Sequence, residues 1–313
     1  MTTNRVNILA ATIGTIAILA MGPAAGAGSA NKNKAPDAGI AELRRNAASG
    51  HAGAQFTLAI LYLSGRLGDD KRAEAVPLLL ASAEQKHNGA LFVLGSLHEH
   101  GTLVPRDLPR AVSYYRLAAE RGDPKAQNAL GQLLRRGEGV PRDPAAAAAN
   151  FDAAAKRGLP AAAANLGILY VAGEGVAKDP AKGAALIRQA AAAGLPAAQH
   201  DFAWLLQTAT GVARDDKEAV KWYSRAAESG NAASQYNLSL MHFKGIGTKA
   251  NPVLAMKWAM IAASASEQDT RAKAKQAVQQ FAAVLTPNQV ADAGQAAQLW
   301  LIRHQIRPQP TAN

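Results

Sequence analysis

The chain has no cysteine. That single absence excludes disulfides, thiolate-bound zinc, a cysteine nucleophile and a lipid-modified cysteine anchor. Aromatic residues are scarce, at 5% of 313 residues, although apolar residues reach 49%, and much of the difference is alanine. Alanine is the strongest helix former and lets helices approach closely, so the composition calls for thin, tightly stacked helices rather than a bulky aromatic core. No run after the first thirty residues is long and apolar enough to span a bilayer. Acidic residues are in deficit: 34 Lys and Arg against 23 Asp and Glu give a formal net charge of +11. Such a balance favours acidic proteins, anionic glycans or phospholipid head groups as partners. Nucleic acid is set aside because the N-terminus points to export.

In residues 1–30, Arg5 is the only charged side chain, and Val6 to Met21 is apolar apart from Asn7, Thr12 and Thr15. Gly22-Pro23 and a stretch of small residues follow, with A-x-A-like sites after Ala27 and after Ala30. This is the order of a secretory signal peptide. Its sixteen-residue apolar run is short for a membrane span, so a membrane is met only through this segment if it stays uncleaved. The expectation is an exported, soluble chain, periplasmic in a Gram-negative cell. Its charge falls to +10 once Arg5 is removed.

A 36-residue period organises the rest. Ala54, Ala90, Ala126, Ala162, Ala198 and Ser234 stand in one column, followed four residues on by Leu58, Leu94, Leu130, Leu166, Phe202 and Leu238. Ala59, Gly95, Gly131, Gly167, Ala203 and Ser239 form a small-residue column after them. Ala162, Leu166 and Tyr170 are four apart and share one helical face, and a small residue beside Leu admits a neighbouring helix. Gly101, Gly137, Gly173 and Gly245 then end the first helix, Ala209 being the exception. Asp107, Asp143, Asp179, Asp215 and Asn251 cap the second helix, commonly next to a Pro that presets its first turn. The second helices end at Gly122, Gly158, Gly194 and Gly230.

A lone helix pair cannot bury its apolar face, so the pairs must stack. The expected fold is all-α, a right-handed α-solenoid of tandem helix-turn-helix repeats. Residues 31–53 form an N-terminal capping helix, 54–266 six repeats, 267–305 C-terminal capping helices, and 306–313 a polar tail, with no linker between them. Thr286-Pro287-Asn288-Gln289 is a capping box that starts the last helix.

The pattern A-x-x-x-L-G-x-x-Y-x-x-G-x-G-V-x-x-D, followed by A-x-x-W/Y and A-A-x-x-x-G, resembles the Sel-one-like repeat family, relatives of the tetratricopeptide repeats. It is clearest over Ala126–Ala161 and Ala162–Ala197, and the resemblance covers roughly residues 40–266. It implies a tetratricopeptide-like superhelix acting as an adaptor or regulator of an envelope complex or receptor. Some bacterial relatives regulate sensor kinases and others serve polysaccharide export. A cysteine-rich branch is linked to penicillin binding and lactamase activity, and this chain has no Cys. No enzymatic activity and no cofactor are expected.

If first helices line a concave groove, as in the tetratricopeptide relatives, one column holds Phe56, Phe92, Asn128, His200 and Tyr236. A second holds Ser96, Gln132, Trp204 and Leu240, and a third region holds Glu99-His100, Arg135-Arg136, Gln207 and Phe243-Lys244. Aromatic and Arg side chains are the usual anchors of interfaces. The candidate groove for a protein partner is therefore Phe92, Gln132, Arg135, Arg136, His200, Trp204, Tyr236, Phe243 and Lys244; packing between helices is the competing use of its aromatics. Arg106, Arg142, Lys178 and Arg214 recur every 36 residues and would form a basic ridge for an anionic envelope glycan, or else solvated neighbours of the capping Asp. His98-Glu99-His100 lacks the i, i+4 histidine spacing of a helical zinc site. The Gly-x-Gly pairs follow helices, lack a Gly-Lys-Ser/Thr and read as turns, and no Ser, His or Asp lies in a nucleophile motif. No metal or catalytic residue is assigned.

Overall fold

The computed structural model describes residues 35–304, so the predicted signal peptide and the polar tail lie outside the described residues. Every regular element among the described residues is helical. Helix α1 (Ala35–Ala48) precedes a first pair, α2 (Ala52–Leu63) and α3 (Ala75–Glu84), joined through a 3-10 turn at Asp69–Glu74. Five regular pairs follow: α4 (Asn88–His100) with α5 (Leu108–Glu120), and α6 (Pro124–Arg136) with α7 (Pro144–Lys156). Next come α8 (Pro160–Ala172) with α9 (Pro180–Ala192), α10 (Pro196–Thr208) with α11 (Asp216–Glu228), and α12 (Ala232–Lys244) with α13 (Pro252–Ala262). Helices α14 (Gln268–Ala282) and α15 (Pro287–Arg303) end the array. Contacts divide the chain into two compact units after Arg157, the first holding α1–α7 and the second α8–α15.

Within each unit the helices from α1 to α14 pack on the next in chain order, the arrangement of an α-solenoid, while α15 packs back on α13 rather than on α14. In the second unit α12 also packs on α14. The interiors are built from the predicted columns: Leu94 and Leu130 are buried in one unit, Leu166, Phe202 and Leu238 in the other. The second helices add a bulky column of Leu79, Tyr115, Phe151, Ile187 and Tyr223, all at most 2% exposed. The small column makes room for it. A methyl group on Gly95 would stand 2.6 Å from the Tyr115 ring, and one on Gly131 2.7 Å from that of Phe151. In α8 and α9 the two backbones meet directly, Gly167 against the carbonyl of Gly183 and the reverse.

Caps hold the helix starts as the sequence predicts. The carboxylates of Asp107, Asp143, Asp179 and Asp215, and the Asn251 amide oxygen, each accept a hydrogen bond from the backbone N–H three residues on, at 2.9–3.0 Å. The Thr286–Gln289 capping box is present in both directions. A second ladder runs along a column of glutamines. Gln55, Gln127, Gln199 and Gln235 are buried, and each donates its side-chain N–H to the carbonyl eight residues back, at the end of the preceding helix. Those carbonyls have no further helical turn to receive them.

Among the described residues, three other than glycine have positive φ: Lys86, Leu103 and Ala209. Each falls in a column where other repeats carry Gly, for example Gly122, Gly139 and Gly173. A left-handed conformation costs an L-residue about 1–2 kcal/mol. Ala209→Gly is therefore expected to stabilise the second unit by about 1 kcal/mol, read as a higher urea midpoint at unchanged slope.

Two histidines make the fold acid-sensitive. His87 caps α4, its Nδ1 accepting from the Ala90 N–H at 3.3 Å while its ring lies 4.6 Å from Phe56. His242 is buried on α12, and its Nδ1 has no hydrogen-bond partner. Burial holds both imidazoles below their ordinary pKa of 6.5. Protonation is thus easier unfolded than folded, so their stabilising contribution is complete above about pH 6.5 and lost as pH falls through the lowered native values. His87→Asn, which keeps a capping oxygen as Asn231 does, should flatten part of the fall in urea midpoint between pH 7 and pH 5.

Candidate interaction face

In the first unit the predicted residues separate into packed and exposed ones. Phe92 is half-buried, its ring 5.7 Å from that of Tyr115. Phe56 is engaged by His87, and Asn128 and Gln132 are partly exposed on α6. Ser96 and His100 are tied to each other across one turn. Glu99 is the hub: it accepts the Tyr115 hydroxyl at 2.7 Å, and Arg136 lies 3.7 Å away while also pairing with Glu138 at 3.1 Å. Burial, then the Glu99 charge, pushes the Tyr115 phenol well above its usual pKa. Arg136 is half-exposed, so its pairs add little stability. Arg135 is partly buried. His98 faces away from His100, buried near the Pro105 carbonyl and stacked on Tyr114. No group of three or more His, Asp or Glu among the described residues is placed to hold a metal ion.

In the second unit the C-terminal helices change the expected groove. Phe243 is stacked on Phe281 of α14, with ring centroids 4.2 Å apart, and Tyr236 and Leu240 pack against the same core. Phe243 and Tyr236 are thus taken up by the packing of α12 against its end helices, a correction to their place in an open groove. Lys244 remains exposed. His200 bridges Asp201 at 3.1 Å and Asn237 at 3.2 Å, and its ring meets Tyr223 edge-on. Gln207 accepts the Tyr223 hydroxyl at 3.0 Å, the same arrangement as Glu99 with Tyr115.

Trp204 is different. It is 46% exposed and lines an apolar cleft of about 290 Å³ with Ile168, Val171, Ala172, Ile187, Asp201 and Leu205. Ile168 and Val171 were not singled out from sequence, yet they stand in the Trp204 and Gln207 columns one repeat earlier. Helix α8 carries no charged residue and α10 only Asp201 besides His200. The basic residues on the helices of these repeats sit instead on α9 and α11: Lys182, Arg188, Lys217, Lys221 and Arg225. An aromatic, charge-poor patch is the composition of an interface core.

The basic ridge residues have structural occupations. In the first unit Arg106 donates from Nε to the Glu99 carbonyl and Arg142 to that of Arg135, both at 3.1 Å, closing the ends of α4 and α6. In the second, Lys178 packs its stem against Gly173, and Arg214 pairs with Asp216 at 2.9 Å. No described helix is long and apolar enough to cross a membrane.

Stacked helix pairs bearing an open, charge-poor first-helix patch define a class, the α-solenoid scaffold. The Sel1 repeat profile matches residues 89–123, 124–159, 160–195, 196–231 and 232–266, more than half of the chain. The chain belongs to the Sel1 repeat family, whose members are typically non-catalytic scaffolds for protein–protein interaction. The α2/α3 pair lies outside the matched span. A Sel1 repeat protein from Oxalobacter formigenes is 28% identical, with 83% of this chain and 98% of that one aligned at a TM-score of 0.70. The protective antigen c5321 of uropathogenic Escherichia coli, which displays an SLR fold, is 18% identical over 88% of this chain and 91% of its own, at a TM-score of 0.44. Immunity protein Pa5087 of Pseudomonas aeruginosa is 20% identical over 79% and 82%, at a TM-score of 0.41. No curated protein matches.

Proposed function

We propose that this chain is an exported, periplasmic adaptor that holds a segment of a protein partner on the first helices of its second unit, within an envelope complex or beside a receptor. The carrying observation is Trp204, an exposed indole over an apolar cleft on helices nearly free of charge. Large aromatics placed over a dry pocket are the residues that dominate binding energy in interfaces. The signal-like residues 1–30 support the compartment.

The test is photo-cross-linking in intact cells, with a photoreactive residue at Thr208 on α10 and, as control, at Lys221 on α11, both exposed positions. A single protein adduct from the Thr208 site in the periplasmic fraction, absent from the Lys221 site, is the expected result. Adducts from Lys221 alone, glycan adducts alone, or a cytoplasmic chain would each refute the proposal.

A further inference from the structure

The column Tyr114, Asn150, Leu186, Trp222 and Trp258 recurs every 36 residues on the second helices, and Asn150 is its one small polar member. In the second unit the aromatic members fill space between elements. Trp222 meets Phe202 edge-on at 5.6 Å and packs on the same core as Val212, while Trp258 meets Trp300. In the first unit the residues equivalent to Phe202 and Val212 are Leu130 and Val140, two repeats earlier. Both line a cleft of about 670 Å³. The cleft is walled by Leu134, Ala146 and Asn150 among others, with Arg116 and Arg142 on its lining. Asn150 does not fill it, because its side-chain amide turns back to the Ala146 carbonyl at 2.9 Å. Ala146 replaces the residue equivalent to Glu218, which receives the Trp222 indole N–H at 3.1 Å. The cavity is therefore the place of an indole that this repeat lacks.

We infer that the α5–α6–α7 cleft receives an aromatic side chain, Trp or Tyr, from a protein partner. The fold itself supplies the template, since sister repeats seat aromatic residues against the matching wall. The contact lies between the second helices α5 and α7 over α6, in the first unit, and its residues are separate from those of the Trp204 patch; it draws on the adaptor proposal only for the source of the ring. Stacking and burial of a planar ring against Leu130, Leu134 and Val140 provide the attraction, and the Arg116 guanidinium can lie over its face.

The test uses indole and p-cresol as side-chain probes, read by amide NMR shifts of the purified chain. Ligands of this size bind in the millimolar range. Saturable shifts at Val140, Ala146 and Asn150 are expected from both probes, unaffected by Trp204→Ala. Asn150→Trp should fill the cleft itself, raise the melting temperature and weaken both probes by about tenfold or more; Asn150→Leu, copying Leu186, is the alternative if the larger residue is not accommodated. In cells, a photoreactive residue at Ala146 should give a protein adduct that Asn150→Trp abolishes. Absence of shifts at these amides, probe binding unchanged in both Asn150 variants, or an Ala146 adduct that is not protein overturns the inference. An Ala146 adduct lost in Asn150→Trp while the Thr208 adduct is absent would uphold this site and reject the Trp204 patch.

Discussion

Gly211→Ala is expected to destabilise the second unit by about 3 kcal/mol, more than the other backbone changes considered above. Two costs coincide there. Gly211 has φ of +69°, where any L-residue pays a steric penalty. A Cβ at this position would also fall into the carbonyl group of Pro180, at the first turn of α9 in the preceding repeat. Backbone cannot swing aside as a flexible side chain can, so the loop or α9 must shift. Gly230→Ala separates the two terms: φ is +87°, but a Cβ there meets nothing within 4 Å. That variant should lose only about 1–2 kcal/mol. Urea unfolding followed by circular dichroism measures both; equal losses would show that the contact with Pro180 is not tight.

Trp204→Ala is expected to weaken partner binding by about 30-fold or more, the equivalent of a 2 kcal/mol anchor, with little change in melting temperature. The separation follows from exposure: the indole is 46% accessible, so the core loses little when it is cut back. Phe202, two residues earlier and 3% exposed, is the contrast. Phe202→Ala should cost about 3–5 kcal/mol of stability and weaken binding only by lowering the folded population. The comparison is made by titrating the cross-linked partner against each purified variant and recording the thermal unfolding of the same samples. Loss of stability in Trp204→Ala without loss of affinity would assign the indole to the core.

The helix pairs were legible because their signals are local and repeated. Asp179 before Pro180 specifies a helix start whatever surrounds it, and the Asp cap recurs on schedule. Glycine in the loop columns needs no partner to be read, which is why Lys86, Leu103 and Ala209 stand out as residues bearing a conformation their neighbours leave to Gly. The candidate face was harder. Phe243 and Tyr236 sit in the same columns as partly exposed polar residues of other repeats, such as Gln207 and Asn128, but α14 packs on α12 and lies outside the 36-residue period. No column could announce it. Ile168 and Val171 were missed for the opposite reason: aliphatic residues in a first helix look like core, and only their position beside Trp204 makes them a cleft wall. The Gln55, Gln127, Gln199 and Gln235 ladder was available from spacing, yet glutamine invites a surface assignment until the helix-end carbonyls it serves are seen.

The loop glycines also have a mechanical meaning. Gly139 rests on the backbone of Leu108, Gly211 on Pro180 and Gly247 on Asp216, so each loop is clasped onto the start of a helix belonging to the repeat before it. These contacts tie each repeat to the one before it at the loop as well as through the core. Within a unit, a helix pair is therefore expected to draw part of its stability from its neighbour being folded.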